Sequence, residues 1–483
     1  MFIKILINKI SNKFLFFISL LLILTQFILT FFSIQNYPGD KLIYFFFSFS
    51  ILTYLTFALL KSNSFFHIFL SIFIFLGFFW KLSLNLIINN INSGLFKNIS
   101  RSSNCLENSC DYVSNQLLNS NFYDDVLIVS LTGIFGFFFS SIFFKYIRRK
   151  INICSNIIPN LLYKNYISFF VIFGLIFIIL ISWINFEYLI FQKGLVSKSK
   201  TFFLNNVFGW LLLFGVPTLL TFYLNTENTR NYKIFFLALN LSHLVHFIIN
   251  ISLLSRGMIF NTLSNILGYI KNNQNVKFIK ILVSTLFLLI LFFSSIHFVS
   301  LKRDKVFTGS NDNLNIINKE NLDRSNKTII NLLINRWVGI EEMMLVENFE
   351  DKNFNFFFKS LNEKQSNQSI PLFDSMIFKD YQNIDRTKFN FVSIPGLIAF
   401  LYFSNNVLFV FLGCFLFSFF LSLIEIFALK ISINNVFFAS LIGQLLAYRI
   451  VHFGVYPLET YKFLISIFLC FIMHFIMNKM FLK

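Results

Sequence analysis

Long runs of apolar residues recur along this chain of 483 residues and restrict it to few folds. Most of them come close to the roughly 20 residues that an α-helix needs to cross a bilayer. Because backbone groups in lipid must find hydrogen-bond partners within their own segment, runs of this length form helices. The sequence therefore predicts an all-α fold, a polytopic transmembrane helical bundle of about twelve spans. The predicted spans are residues 14–34, 42–60, 65–88, 126–144, 166–186, 207–223, 234–254, 258–270, 279–299, 407–428, 436–453 and 463–477.

The composition also indicates a membrane protein, and it argues against nucleic acid as a partner. Hydrophobic residues make up 56% of the chain and charged residues 13%, against about 25% charged in average soluble proteins. The net charge of +18 is explained by lysines and arginines at the cytoplasmic ends of helices. We therefore expect membrane lipids as neighbours and no nucleic acid as a partner.

One polar segment interrupts the membrane pattern. Residues 302–391 hold 13 of the 22 acidic residues and 13 basic ones, so the net charge lies outside this segment. The split predicts N-terminal transmembrane helices in residues 1–301, a large extracytoplasmic loop region in 302–392, and an interfacial segment with C-terminal transmembrane helices in 393–483. The interfacial segment begins near Pro395, which is expected in a first helical turn.

The distribution of lysine and arginine sets the predicted orientation. With the N-terminus in the cytoplasm, 17 basic residues flank the spans on the inside and 8 lie in the short outer loops, as the positive-inside rule requires. Both termini are then cytoplasmic, and the polar block is outside. A loop with Cys105 and Cys110 is also outside, where a disulfide between them is one of two open alternatives.

Basic residues in or beside the membrane are candidates for a site, because a charge is costly there. Arg449 lies in the outer half of the eleventh span, with Tyr448 beside it and His452 three residues on. A guanidinium at this depth needs a carboxylate, a phosphate or a water-filled cavity. Arg256, in the turn between the seventh and eighth spans, is either a site residue or a snorkelling flank, and Lys81 is expected to snorkel to the outer interface.

The most helix-like part of the outer block, residues 328–346, contains Arg336, Glu341 and Glu342. In an ideal helix Arg336 points away from the face of Glu342, unless Gly339 breaks the helix. These charges are either a site or a solvated surface.

No metal or cofactor is expected. His243 and His246, three residues apart on the seventh span, have no third ligand nearby in the sequence, which favours buried hydrogen bonds over a metal site. No phosphate-cradling glycine loop, nucleophile elbow or metalloprotease motif occurs in the sequence. An ATP-hydrolysing transporter subunit is therefore disfavoured.

Three short segments carry a family resemblance. They are Leu253-Leu254-Ser255-Arg256-Gly257, Arg336-Trp337-Val338-Gly339-Ile340-Glu341 and Pro395-Gly396-Leu397-Ile398-Ala399-Phe400-Leu401-Tyr402. With the helix count and the large outer loop, they resemble the oligosaccharide repeat-unit polymerases, the Wzy-type O-antigen polymerases of lipopolysaccharide synthesis. The resemblance implies a metal-independent glycosyltransferase of the bacterial inner membrane. Its substrate would be a polyprenyl-diphosphate-linked oligosaccharide, and a chain-length regulator protein would be a further partner.

The chemistry that this resemblance implies suits the candidate residues. Arginine forks bind diphosphate, so Arg256, Arg336 and Arg449 are assigned to the diphosphate leaving group. The acceptor hydroxyl needs a base, for which Glu341 or Glu342 offers a carboxylate. Two other functions stay open. A lipid-linked oligosaccharide flippase would need polar residues through a central cavity, and a glycan ligase would differ only in its acceptor.

Overall fold

The structure, a computed structural model, describes residues 13–90, 120–150, 164–193, 202–230, 232–255, 257, 259–272, 278–308, 334, 337–363, 372–377, 395–452 and 457–481. Every regular element in these ranges is a helix, as the sequence predicts. The α-helices are α1 (Lys13–Ile34), α2 (Lys41–Leu60), α3 (Phe65–Ile74), α4 (Lys81–Asn90), α5 (Ser120–Lys150), α6 (Lys164–Tyr188), α7 (Phe202–Trp210), α8 (Val216–Arg230), α9 (Tyr232–Ser252), α10 (Ile259–Asn272), α11 (Phe278–Thr308), α12 (Ile340–Glu347), α13 (Phe354–Leu361), α14 (Gly396–Tyr402), α15 (Val407–Ile431), α16 (Val436–Leu446) and α17 (Pro457–Phe481). π-Helical segments lie at Phe75–Trp80, Leu211–Gly215, Phe373–Ile377 and Ala447–His452.

Within those ranges, 9 helical stretches are long and apolar enough to cross a membrane, which fits a multi-pass membrane protein. They are Leu15–Ile34, Lys41–Leu60, Phe65–Ile87, Phe122–Arg148, Phe203–Glu227, Ile234–Ser252, Ile279–Ser300, Val407–Ile431 and Thr460–Met480. Two of the three other predicted spans correspond to shorter elements, the apolar stretch Val436–His452 and α10, with 14 residues. The third, residues 166–186, lies within α6, which has 25 residues. The predicted count of twelve is therefore not confirmed.

The short helices α10 and α16 lie in the centre of the bundle. α16 packs against α3, α8, α10 and α15, and all of its residues after Val436 are buried. The outer helices α1, α11 and α15 instead expose many apolar side chains, as surfaces that face lipid do. A helix surrounded by other helices is shielded from both lipid and water along its length, which explains why the central helices can be short.

A buried carboxylate joins three helices at one end of the bundle, the end that the charge rule predicts to be cytoplasmic. Glu425 of α15 accepts hydrogen bonds from the Ser64 hydroxyl at 2.7 Å and from the backbone N–H groups of Phe65 and Phe66 at 3.0 and 2.8 Å. Arg148 of α5 lies 3.4 Å from the same carboxylate. The negative charge thus meets both a cation and the positive end of α3.

The opposite end of the bundle is covered by part of the polar block and by α14. α12 packs against α5 and α14, and six of the seven residues of α14 are buried by neighbouring helices. The helix predicted over residues 328–346 does not run through residues 337–339, which are not helical. α12 begins at Ile340 instead, with Gly339 as its N-terminal cap. Gly339 therefore breaks the helix before the glutamates.

Candidate functional site

Residues 337–339 lie in direct backbone contact with the π-helical segment Phe75–Trp80. A Cβ atom on Gly77 would overlap the carbonyl oxygen of Val338, and one on Gly339 would overlap the carbonyl group of Gly77. The absence of side chains at both glycines allows the two backbones to meet. Gly396, with φ of 75°, completes the contact, because a Cβ there would lie 2.9 Å from the carbonyl oxygen of His452 and 3.1 Å from the Val338 side chain.

Lys81, the first residue of α4, binds residues 337–341. Its Nζ lies 2.8 Å from Glu341 Oε2 and donates a hydrogen bond to the Trp337 carbonyl oxygen at 3.1 Å. Asn85 donates to Glu341 Oε1 at 3.3 Å. Lys81 is only 2% exposed, so the prediction that it snorkels to the outer interface is wrong. The polar block covers the start of α4 and places the Glu341 carboxylate beside the Lys81 ammonium. The ammonium is therefore paired within the protein and does not have to reach water.

The two glutamates of α12 have different roles. Glu342 Oε2 accepts a hydrogen bond from the Gly339 N–H at 2.7 Å and so closes the start of α12. Burial raises the pKa of the Glu342 carboxyl above its usual value, and the Lys81 ammonium acts in the opposite direction. The Glu341 side chain is 39% exposed. Of the two predicted carboxylates, Glu341 is therefore the more accessible to a substrate.

Five rings from four parts of the chain form one group, here called the aromatic cluster: Phe73, Phe260, Trp337, Tyr448 and His452. The ring centroids of Phe260 and Tyr448 are 4.7 Å apart, and those of Phe73 and His452 are 5.2 Å apart. Trp337 lies 5.9 Å from His452 and 6.1 Å from Phe73. Phe73, Tyr448 and His452 are buried and Phe260 and Trp337 are partly buried, so the cluster is a packed group of rings at this end of the bundle.

Arg449 lies beside the aromatic cluster. It is partly buried, and its guanidinium carbon is 5.7 Å from the centroid of the Tyr448 ring, a distance at which a cation and a ring attract each other. Arg256 and Arg336 lie outside the described residues. Their chain neighbours are described: Trp337 belongs to the cluster, and a Cβ on Gly257 would lie 3.3 Å from the Tyr448 hydroxyl.

The structure thus brings together segments that are far apart in the sequence. Gly257, residues 337–341, the start of α14 at Gly396 and the π-helical segment Ala447–His452 all meet at one end of the bundle. Sequence reasoning proposed Arg449, Glu341 and Glu342 and missed Phe73 and Phe260. Those two phenylalanines carry no distinguishing signal in a chain with 74 phenylalanines.

Other candidates from the sequence lie elsewhere. His243 is 3.0 Å from the Ser284 hydroxyl and His246 Nδ1 is 2.7 Å from the Ser242 carbonyl oxygen, which confirms that both form buried hydrogen bonds. Among the residues that the structure describes, no group of three or more His, Cys, Asp and Glu side chains is arranged to hold a metal ion. Cys105 and Cys110 lie outside the described residues.

Replacement of Lys81 by methionine should loosen residues 337–341. Methionine keeps most of the apolar stem but removes the ammonium, which leaves the Trp337 carbonyl oxygen without this donor and Glu341 without this cation. We expect a loss of about 1–3 kcal/mol in the free energy of unfolding, measured in detergent, and faster proteolysis within the polar block. Lys61→Met, at an exposed lysine after α2, is the control. Equal proteolysis and stability for Lys81→Met and the wild type would contradict the role of Lys81.

No protein-family model, no curated protein and no solved structure matches this chain.

Proposed function

We propose that this protein polymerises polyprenyl-diphosphate-linked oligosaccharide repeat units into a surface polysaccharide at the outer face of the bacterial inner membrane. One observation carries the proposal. The described parts of the three segments that resemble the polymerases meet Arg449 around a single aromatic cluster at one end of an apolar helical bundle.

Each part of such a substrate has a counterpart at this end of the bundle. The polyprenyl chain is apolar and suits the exposed apolar faces of the outer helices. The diphosphate suits guanidinium groups, which bind phosphate oxygens in pairs, and Arg449 is the described arginine beside the cluster. The partly buried Trp337 ring has a flat apolar face and a polar N–H edge, to which the face of a sugar ring can bind.

In the proposed reaction, the hydroxyl oxygen of one repeat unit attacks the anomeric carbon of the glycan on the second carrier. The new glycosidic bond forms as the bond between that carbon and the diphosphate oxygen breaks. The diphosphate leaves with the electron pair, and Arg449, Arg256 and Arg336 stabilise its charge. Glu341 accepts the hydroxyl proton. Glu341 is chosen over Glu342 because the Glu341 side chain is 39% exposed, whereas the Glu342 carboxylate caps the start of α12 through the Gly339 N–H.

Surface polysaccharide from a deletion strain, separated by length on a gel, tests the proposal. The deletion strain should keep single repeat units and lose the ladder of longer chains. Complementation with Arg449→Ala should leave long polymer at least about 100-fold below the wild type, the usual effect of removing one group that stabilises a developing anion. Arg449→Lys should restore part of it, because lysine keeps the charge but not the fork.

The control is Lys430→Ala, at an exposed lysine at the end of α15, which should leave the ladder intact. A full ladder from Arg449→Ala would contradict the assignment of Arg449 to the diphosphate. Accumulation of carrier-linked units on the cytoplasmic side, with no repeat exported, would contradict the polymerase and favour a flippase.

A further inference from the structure

The loop that follows α6 is hydrogen-bonded to the end of α9 and to the turn that follows it. Leu189, with φ of 46°, reverses the chain at the end of α6. The Asn185 side chain then accepts a hydrogen bond from the Phe191 N–H at 2.9 Å and donates to the Phe191 and Ser252 carbonyl oxygens at 3.1 and 2.9 Å. Gln192 donates back to the Asn185 carbonyl oxygen at 3.0 Å. One asparagine therefore ties this loop to the end of α9.

Both backbone groups of Lys193 take part in this attachment. Its N–H donates to the Leu253 carbonyl oxygen at 3.0 Å, and its carbonyl oxygen accepts from Arg303 Nη2 of α11 at 2.9 Å. The base of the Lys193 side chain is therefore held in place by two neighbouring elements. A side chain that starts from a fixed backbone loses less freedom when it binds a ligand.

The Lys193 ammonium points toward the proposed site. A Cβ on Gly257 would lie 3.6 Å from Lys193 Nζ and 3.3 Å from the Tyr448 hydroxyl, so both groups border the same point. Gly257 follows Arg256 in the chain, and Tyr448 precedes Arg449, whose guanidinium lies against the Tyr448 ring. Lys193 and Arg449 thus approach the same tyrosine beside the aromatic cluster from two different segments.

We propose that Lys193 is a further ligand of the diphosphate, and this inference rests on the proposed function. A diphosphate has two phosphate groups and several negative charges, so it accommodates several cations around its oxygens. An ammonium forms strong hydrogen bonds with phosphate oxygens as a point charge. Lys193 approaches the Tyr448 hydroxyl from the Gly257 side, whereas Arg449 lies against the Tyr448 ring. The two cations suit different parts of one anion.

Binding of farnesyl diphosphate and farnesyl monophosphate to the purified full chain in nanodiscs tests this inference. We expect Lys193→Met to weaken the diphosphate at least tenfold and the monophosphate less. Lys193→Arg should bind the diphosphate within about threefold of the wild type, because the charge remains. Lys41→Met, at an exposed lysine at the start of α2, should bind both ligands like the wild type.

Thermal unfolding of each variant separates binding from folding. Lys193 holds its loop through backbone groups, which methionine keeps, so the Tm should stay unchanged. If the wild type binds the diphosphate and Lys193→Met binds it equally well, the role of Lys193 is overturned and the proposed function stands. If the wild type binds neither ligand, both are overturned. Weaker binding by Lys193→Met together with a lower Tm and no rescue in Lys193→Arg would also overturn the inference, because the residue would then be structural.

Discussion

Under the proposed function, replacement of Gly77 by alanine is expected to abolish long polymer. The added methyl group would overlap a backbone carbonyl, that of Val338, which has no side-chain freedom with which to move aside. Residues 337–339 would have to separate from the π-helical segment Phe75–Trp80. Trp337 would then leave the aromatic cluster, and Glu341 would leave Lys81. Overpacking of this kind typically lowers the free energy of unfolding by about 1–3 kcal/mol, but the loss of the site should reduce polymer far more than the abundance of the protein.

Gly174→Ala provides a matched control, because a Cβ on Gly174 of α6 would meet nothing within 4 Å. Both variants make the same chemical change in an apolar helical segment. The measurements are the polysaccharide ladder, the amount of protein in the membrane and proteolysis of the polar block. A normal ladder from Gly77→Ala at normal abundance would show that the contact between Gly77 and Val338 is not required for activity.

The second large effect is expected from Glu425→Ala, on stability. Glu425 is 0% exposed and accepts hydrogen bonds from Ser64 and from two backbone N–H groups at the start of α3. Its removal leaves those donors and the largely buried Arg148 without their carboxylate. Loss of one partner of a buried ion pair typically lowers the free energy of unfolding by about 3–5 kcal/mol. Most of the protein should therefore be degraded or unfold at a lower temperature in detergent.

Glu350→Ala removes the same carboxylate from an exposed position and should leave the Tm within the error of the wild type. Glu425→Gln is informative as well. It keeps the shape and one acceptor oxygen but not the charge, so its loss of stability should fall between those of the wild type and Glu425→Ala. A wild-type Tm for Glu425→Ala would contradict the view that this carboxylate joins α3, α5 and α15.

The fold class could be predicted from the sequence because the length of an apolar run reports directly on helix formation in lipid. The number of helices that cross the whole bilayer could not be predicted in the same way. Hydropathy does not distinguish a helix that faces lipid, such as α15, from one enclosed by other helices, such as α16. Both are strongly apolar, but only α15 has the length that a lipid-exposed span requires.

The candidate site could be predicted only where a residue is unusual by itself. Arg449 was found because a guanidinium within an apolar segment is costly. Lys81 has the same signal, but its partner Glu341 comes from a segment that the sequence does not connect with it. Lys193 has no signal, since a lysine in a polar loop is ordinary, and its position depends on the hydrogen bonds of Asn185. Contacts between distant segments were therefore the part that sequence reasoning could not supply.

The attachment of the helical stretch Phe65–Ile87 at two points has a consequence for the depth of the site in the membrane. Ser64 is bound to Glu425, and Lys81, 17 positions later in the numbering, is bound to Glu341. At the rise of an α-helix, this stretch is about 25 Å long, somewhat less than the roughly 30 Å hydrocarbon core of a bilayer. The helix therefore fixes the distance between Lys81 and the Glu425 end of the bundle. A change in membrane thickness, which the acyl composition of the lipids determines, would then change the depth of the site in the bilayer.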